Sequence, residues 1–241
     1  MSRDDFLTFT TPTGIRTSSL PIDFAVLLTD TLESPATFLL THFVARALRE
    51  PRKVLFVGLS LAFEHYATVL KKNGIQLANE RTADRFAFVD GSTAAGSLPK
   101  LYEAIATALQ SSGSALVIID DLSSLLWSGH SSTDVARFFA GVRALVASSS
   151  SSLVTLMHGD DLHTAGDLED SHLFRRVLQQ SDLWLQTTSL SSQTRGELSI
   201  YRGPALVEDY GIVDRSGPTA LQYKLDESGP TFSVKGLGKF L

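Results

Sequence analysis

The chain of 241 residues contains no cysteine. A disulfide scaffold, a zinc ribbon, a thiol nucleophile and a cysteine-ligated iron–sulfur cluster are therefore excluded. Long hydrophobic runs are missing too, since no apolar stretch reaches the roughly 18 residues of a membrane span. Nor is there an excess of basic charge. Lys+Arg 21 against Asp+Glu 26 leaves a net charge of -5, which argues against a nucleic-acid binder basic over its whole surface, though not against a local basic patch. No apolar segment follows Met1-Ser2-Arg3-Asp4-Asp5, so no secretory leader is expected, and a soluble intracellular protein is the expectation. What is present is ordinary globular material. Hydrophobic residues make up 43% and charged residues 20%, enough to build a large core without staples. At about 150 residues per domain, the length allows one or two domains.

Residues 1–20 are rich in Ser and Thr and read as an N-terminal extension that covers the surface or stays loose. From there apolar strands alternate with helical patterns. Ile22–Leu28 reads as a buried strand, and Ser34 with Pro35 as the cap and first position of a helix. Phe38, Leu39, Phe43, Val44, Ala47 and Leu48 then share one helical face. Val54–Val57, Phe86–Val89, Ala115–Ile119, Leu153–Met157 and Leu183–Thr187 follow as strands. Leu61–Lys72, Leu98–Gln110, Asp134–Ala147 and Leu173–Gln179 are the intervening helices, and the serine tract 148–152 reads as a flexible loop. Glu197–Arg202, Leu221–Leu225 and Thr231–Val234 are separated by Gly-Pro pairs, which suggests antiparallel strands. The pattern predicts one α/β domain over 21–241: a doubly wound, mainly parallel sheet with C-terminal antiparallel strands.

In such a sheet the first strand-to-helix turn is the natural phosphate cradle. Here it reads Thr29-Asp30-Thr31-Leu32-Glu33-Ser34-Pro35-Ala36-Thr37. A P-loop needs glycines whose N–H groups converge on phosphate, then a Lys and a hydroxyl. With Thr37 in the hydroxyl position, Ala36 stands where the Lys belongs and Pro35 where a Gly belongs. Pro35 has no N–H to offer, and Asp30 and Glu33 would repel a triphosphate. The strand ending at Asp120-Asp121 is similar to a Walker B strand, whose terminal carboxylate holds Mg²⁺. The plainer role, helix capping near Leu122, carries more weight without a phosphate loop.

Two rival sites are weaker. Gly58-Leu59-Ser60-Leu61-Ala62 nearly matches the G-x-S-x-G elbow, with Asp120 and His158 following in Ser…Asp…His order, so a serine hydrolase is an alternative. Against it, few strands precede Ser60, no HGGG-type segment is present, and Ser60 is equally a helix cap. His158-Gly159-Asp160-Asp161-Leu162-His163 could suggest a metal site, but the spacing fits no known motif, and an acidic loop is the simpler reading. His42 reads as a packed helix residue and His130 as a loop residue. Charge is uneven: residues 46–85 carry a net +4, whereas 158–170 hold five acids and no Lys or Arg. Lys71, Lys72, Arg81 and Arg85 are the RNA-contact candidates in the basic region, although a solvated helix face explains them more simply because no stacking platform is evident.

Four runs carry a resemblance: Ala25–Pro35, Val54–Ser60, Val117–Ser123 and Met157–Asp160, supported by Tyr201-Arg202-Gly203-Pro204 and Tyr223-Lys224-Leu225. In order and spacing they resemble the sixth-subunit family of the Elongator complex, in a fungal-type version. The resemblance covers the chain from about residue 20 to its end. It implies a RecA-like ATPase fold that has lost its Walker A loop. Similar families place a catalytic carboxylate after the second strand, where this chain has Gly58-Leu59-Ser60. The resemblance further implies a hetero-hexameric ring with subunits four and five, two copies of each, joined to the remaining Elongator subunits. That ring binds tRNA and supports wobble-uridine C5 modification, and the family works in the cytoplasm, with the nucleus as a second compartment. No cofactor is implied, because the iron–sulfur and acetyl-CoA chemistry belongs to another subunit. By analogy the pore-facing loops would be Ser128–Thr133 and His158–Ser171, with Ser128, His130, His158 and His163 as candidates, although the second loop is acidic. Another inactive RecA-like paralogue, such as a recombinase relative or the fifth subunit, is a further alternative.

Overall fold

The apolar runs that read as continuous strands are the ones buried on both faces, as parallel strands sandwiched between helices must be. The computed structural model describes residues 6–11, 13–92, 96–112, 114–159, 168–192, 194–226 and 229–235. Its elements in chain order are β1 (Phe9–Thr10), β2 (Arg16–Thr17), β3 (Ala25–Asp30), α1 (Thr37–Arg49), β4 (Lys53–Gly58), α2 (Phe63–Lys72), α3 (Leu77–Thr82), β5 (Phe86–Asp90), α4 (Leu98–Ser112) and β6 (Ala115–Asp120). Then come α5 (Ser123–Trp127), α6 (Ser132–Ser148), β7 (Ser152–His158), α7 (Leu168–Leu178), β8 (Leu183–Ser192), β9 (Arg195–Arg202), a 3₁₀ turn (Gly217–Thr219), β10 (Leu221–Asp226) and β11 (Gly229–Val234).

Nine strands form one sheet in the order β11-β10-β9-β8-β3-β7-β6-β4-β5. The pairs from β8 through β5 are parallel, and β9, β10 and β11 extend the sheet antiparallel from β8. Alternation along the strands splits the core in two. Val26, Leu28, Phe56 and Ile118 face α1 and α2, whereas Leu27, Val57, Val117 and Met157 face the side of α4, α6 and α7.

Three local expectations change. The N-terminal extension, the leader of the fold and not a secretory one, does not merely lie over the surface: Phe6, Leu7, Phe9 and Leu20 belong to the α1-side core, and Phe9 packs edge-on to Phe24 at 5.3 Å. α1 starts at Thr37, not at Ser34, because the first N–H to need an acceptor, that of Ala36, is taken by Asp30. The segment after α2 forms an additional short helix, α3.

The serine tract is not a loose loop either. Ser151 and Ser152 are buried, and Ser152 opens β7. Ser151 Oγ accepts from Ala115 N–H at 2.9 Å. Ser152 Oγ accepts from Arg52 Nη2 and donates to the Pro21 carbonyl, both at 2.5 Å. Arg52 also donates to the Leu20 and Ala115 carbonyls, so one guanidinium ties the leader to β6 and β7. Arg52→Ala strands these acceptors and should cost about 1.5–3 kcal/mol. Urea unfolding is the check, and a midpoint equal to the parent's would contradict it.

Candidate functional site: a closed phosphate cradle

The carboxyl ends of the three central strands bring together Asp30 (β3), His158 (β7) and the Asp120-Asp121 pair at the end of β6. Parallel register makes Asp30 and His158 direct neighbours. His158 Nδ1 lies 2.5 Å from Asp30 Oδ1, and its Nε2 lies 3.1 Å from Asp121 Oδ2. The second contact has ion-pair distance without hydrogen-bond alignment, leaving Asp121 Oδ2 otherwise unpartnered. Asp30, Asp120 and Asp121 are all buried. The other oxygen of Asp30 accepts from Ala36 N–H at 2.8 Å. Asp121 Oδ1 accepts from Ser123 N–H at 2.8 Å in the turn that leads into α5, but the N-cap of that helix is Leu122, without a side-chain cap, so neither Asp120 nor Asp121 is its cap residue.

The electrostatics follow from this packing. The two carboxylates hold His158 protonated, its pKa pushed up to about 10, with Asp121 the larger cause and Asp30 the next. Burial pushes Asp30 up, opposed chiefly by its hydrogen bond to His158. Asp120 is pushed up to about 7 by burial first and by the charge of Asp121 second, while its hydrogen bond from Ser60 holds it back. Trp127 lies over His158, its ring stacked at 5.2 Å and 16°, and is 64% exposed. Trp127 had no role in the sequence reading. Its only signal was a large aromatic ending a short helix after the Asp pair.

A magnesium–triphosphate does not fit this donor set. Two N–H groups of the turn are bonded within the protein, Ala36 to Asp30 and Ser34 to the Thr31 carbonyl, and Pro35 between them has none, so these three positions offer a phosphate no donor. The same turn begins with a buried carboxylate, Asp30, whose charge is countered by His158 and would repel a phosphate. Thr29 Oγ1 accepts from Trp184 Nε1 at 2.8 Å, and Ser34 Oγ shares a hydrogen bond with Tyr223 OH at 2.6 Å. The other turn residues thus also serve the fold. Glu33, Thr37 and Pro35 are placed in the same turn and at the start of α1.

The hydrolase constellation is not assembled. Ser60 Oγ donates to Asp120 Oδ2 at 3.1 Å, and both ring nitrogens of His158 face carboxylates, so this imidazole does not serve Ser60 as a base. Ser60 does not cap α2, whose preceding residue is Ala62. His163 and most of the His158–Ser171 loop lie outside the described residues. Among the described residues no group of three His, Asp or Glu side chains is arranged to hold a metal ion. Ser128 is exposed and donates to Ser124 O, and His130 is half-buried after the Gly129 turn. Of the basic candidates, Lys71 and Lys72 are exposed at the end of α2, and Arg81 lies over the Phe63 ring at 5.0 Å. Arg85 is bound into the fold by Glu80 at 3.2 Å and by the Leu48 carbonyl. No described helix is long and apolar enough to cross a membrane.

The doubly wound sheet with a Walker B-like strand and a self-occupied first turn defines a RecA-like protein without a phosphate loop. A solved structure supports that class: a KaiC-like protein from Pyrococcus horikoshii is similar with a TM-score of 0.67 at 12% identity, over 89% of this chain and 91% of that one. The particular family is shown by sequence. The family model described as Elongation complex protein 6 matches residues 14–98 and 92–224, and the chain belongs to that family. Elongator complex protein 6 of Xenopus laevis is 29% identical over 93% of this chain and 95% of that protein. The Homo sapiens protein of the same name is 29% identical over 85% and 88%.

Proposed function

We propose that the chain is a non-catalytic ring subunit of Elongator, placed beside subunits four and five in a hetero-hexamer that binds tRNA and supports wobble-uridine C5 modification. What carries this reading is the Asp30–Ala36 hydrogen bond with the His158 ion pairs behind it, because a fold of this class that fills its own nucleotide cradle retains the faces that close a ring. Residues 21–241 form its RecA-like unit and residues 1–20 its extension. Lys71, Lys72 and Arg81 remain RNA-contact candidates, as do Ser128 and His130 toward the pore. The protein works in the cytoplasm, and in the nucleus as a second compartment.

Mixing the purified chain with subunits four and five should yield one hexamer by native mass measurement; a persistent monomer in the presence of both would refute the assignment. Titration of the isolated chain with ATP and magnesium should show no heat of binding. Micromolar affinity that disappears in Asp120→Ala would contradict the closed cradle.

A further inference from the structure

The groove between α6 and α7 lies on the side of the sheet that carries α4, α6 and α7, and none of the Asp30–His158 cluster lines it. It encloses about 420 Å³. Its polar lining is Thr133 and Arg137 from α6 and His172, Arg176, Gln179 and Gln180 from α7 and its end, and among the described residues no carboxylate lines it. Ala136 and Ala140 form the side contributed by α6, so the floor is shallow and a bulky group can approach the backbone of the helix. Arg137 and Arg176 are both exposed. Among the described residues no carboxylate pairs with Arg176, whereas Arg137 is 3.3 Å from Asp134 at an exposed site where such a pair is weak. Two acids of these helices have partners outside the groove lining. Asp134 accepts from Ser131 Oγ, and Glu169 accepts from Ser132 N–H. His172 is fixed by Ser132 Oγ at 2.9 Å from its Nδ1.

Two guanidinium forks with two amides and an imidazole, in a chain whose net charge is -5, make a local anion site on an acidic protein. Guanidinium forks match the paired oxygens of a phosphate, and the amides add neutral donors and acceptors for the sugar beside it. We infer that the α6–α7 groove holds a backbone phosphate of RNA. This rests on the RNA-binding role proposed above and assigns it a second surface, distinct from Lys71 and Lys72.

The test uses the reconstituted ring of this chain with its two partner subunits, and fluorescence anisotropy of a labelled RNA hairpin across a salt series. Arg137→Gln with Arg176→Gln should weaken binding roughly tenfold and lower the salt slope by about 1–2. Arg137→Lys with Arg176→Lys should recover part of the affinity, since charge is kept while the fork is lost. A double Gln variant that assembles and binds RNA like the parent overturns the groove while leaving the ring assignment intact. A parent chain that never assembles removes the ring assignment, and a parent ring that fails to bind the hairpin removes the groove with the RNA role. Inorganic phosphate, or a glutamate-rich peptide, that raises the melting temperature of the parent but not of the Gln variant, with RNA binding unchanged, would assign the groove to a small anion or an acidic protein and refute the RNA proposal.

Discussion

His158→Ala is expected to destabilise the chain by about 3–5 kcal/mol, because it removes the cation from between buried carboxylates and leaves their charge uncompensated. At about 2–4 °C per kcal/mol for a chain of this size, the melting temperature should fall by roughly 6–20 °C. The pH profile distinguishes this from simple loss of packing. His158 is raised from 6.5 to about 10 in the folded chain, so its contribution is fully present below the unfolded value and is lost as pH rises from 6.5 through 10. Asp120, raised from 3.8 to about 7, has the same sign: the fold favours its neutral form, and that advantage is lost between pH 3.8 and 7. The parent should therefore lose stability from acid toward alkali. The variant should lack the upper part of that decline, and the gap between the two should narrow above pH 10. Urea midpoints measured from pH 5 to 10 are the check. A variant curve parallel to that of the parent would mean that the imidazolium is not the stabilising species.

Part of this cluster is legible in the sequence, and the rest is hidden for a physical reason. The failure of Thr29–Thr37 as a phosphate loop is a property of residue types: Pro35 has no N–H, and Asp30 has the wrong charge. The partner of Asp30 was not legible, because it depends on strand order. β3 lies against β7 and not against β4, its successor in the chain, and only that crossover puts His158 beside Asp30. The same residues, read in chain order, suggested a Ser…Asp…His relay. Ser60 and His158 both reach Asp residues instead, because Asp120 and Asp121 point to different neighbours. The parallel strands were legible as continuous apolar runs such as Ala115–Ile119, and the antiparallel flank as alternation broken by Gly-Pro. The serine tract departs from its loop-like composition because the hydroxyls of Ser151 and Ser152 are the internal partners of Ala115 N–H and Arg52.

The leader is the other place where composition misleads, and it carries the second large effect. Ser and Thr dominate residues 1–20, but its apolar minority enters the core. Phe6 contacts Phe232 at 4.5 Å and Phe43 at 6.2 Å, joining α1 to the last strand of the antiparallel flank. Phe9 is fully buried against Phe24, and Thr10 N–H donates to the Tyr210 carbonyl at 2.6 Å. Phe9→Ala should cost about 3–5 kcal/mol, the usual range for emptying a ring-sized space in a core. Deleting residues 1–20 removes several such contacts together and uncovers Phe24, Phe43 and Phe232. The combined loss reaches the whole net stability of an ordinary domain, about 5–15 kcal/mol. The truncated chain is therefore expected to be recovered as aggregate, or with native-like helix signal but no cooperative melt and strong binding of a hydrophobic dye. The full-length Phe9→Ala chain should still melt cooperatively at a lower temperature. A truncated chain that melts where the full chain does would mean that the sheet and its helices close the core without these rings, and the leader would then be the loose extension its composition suggests.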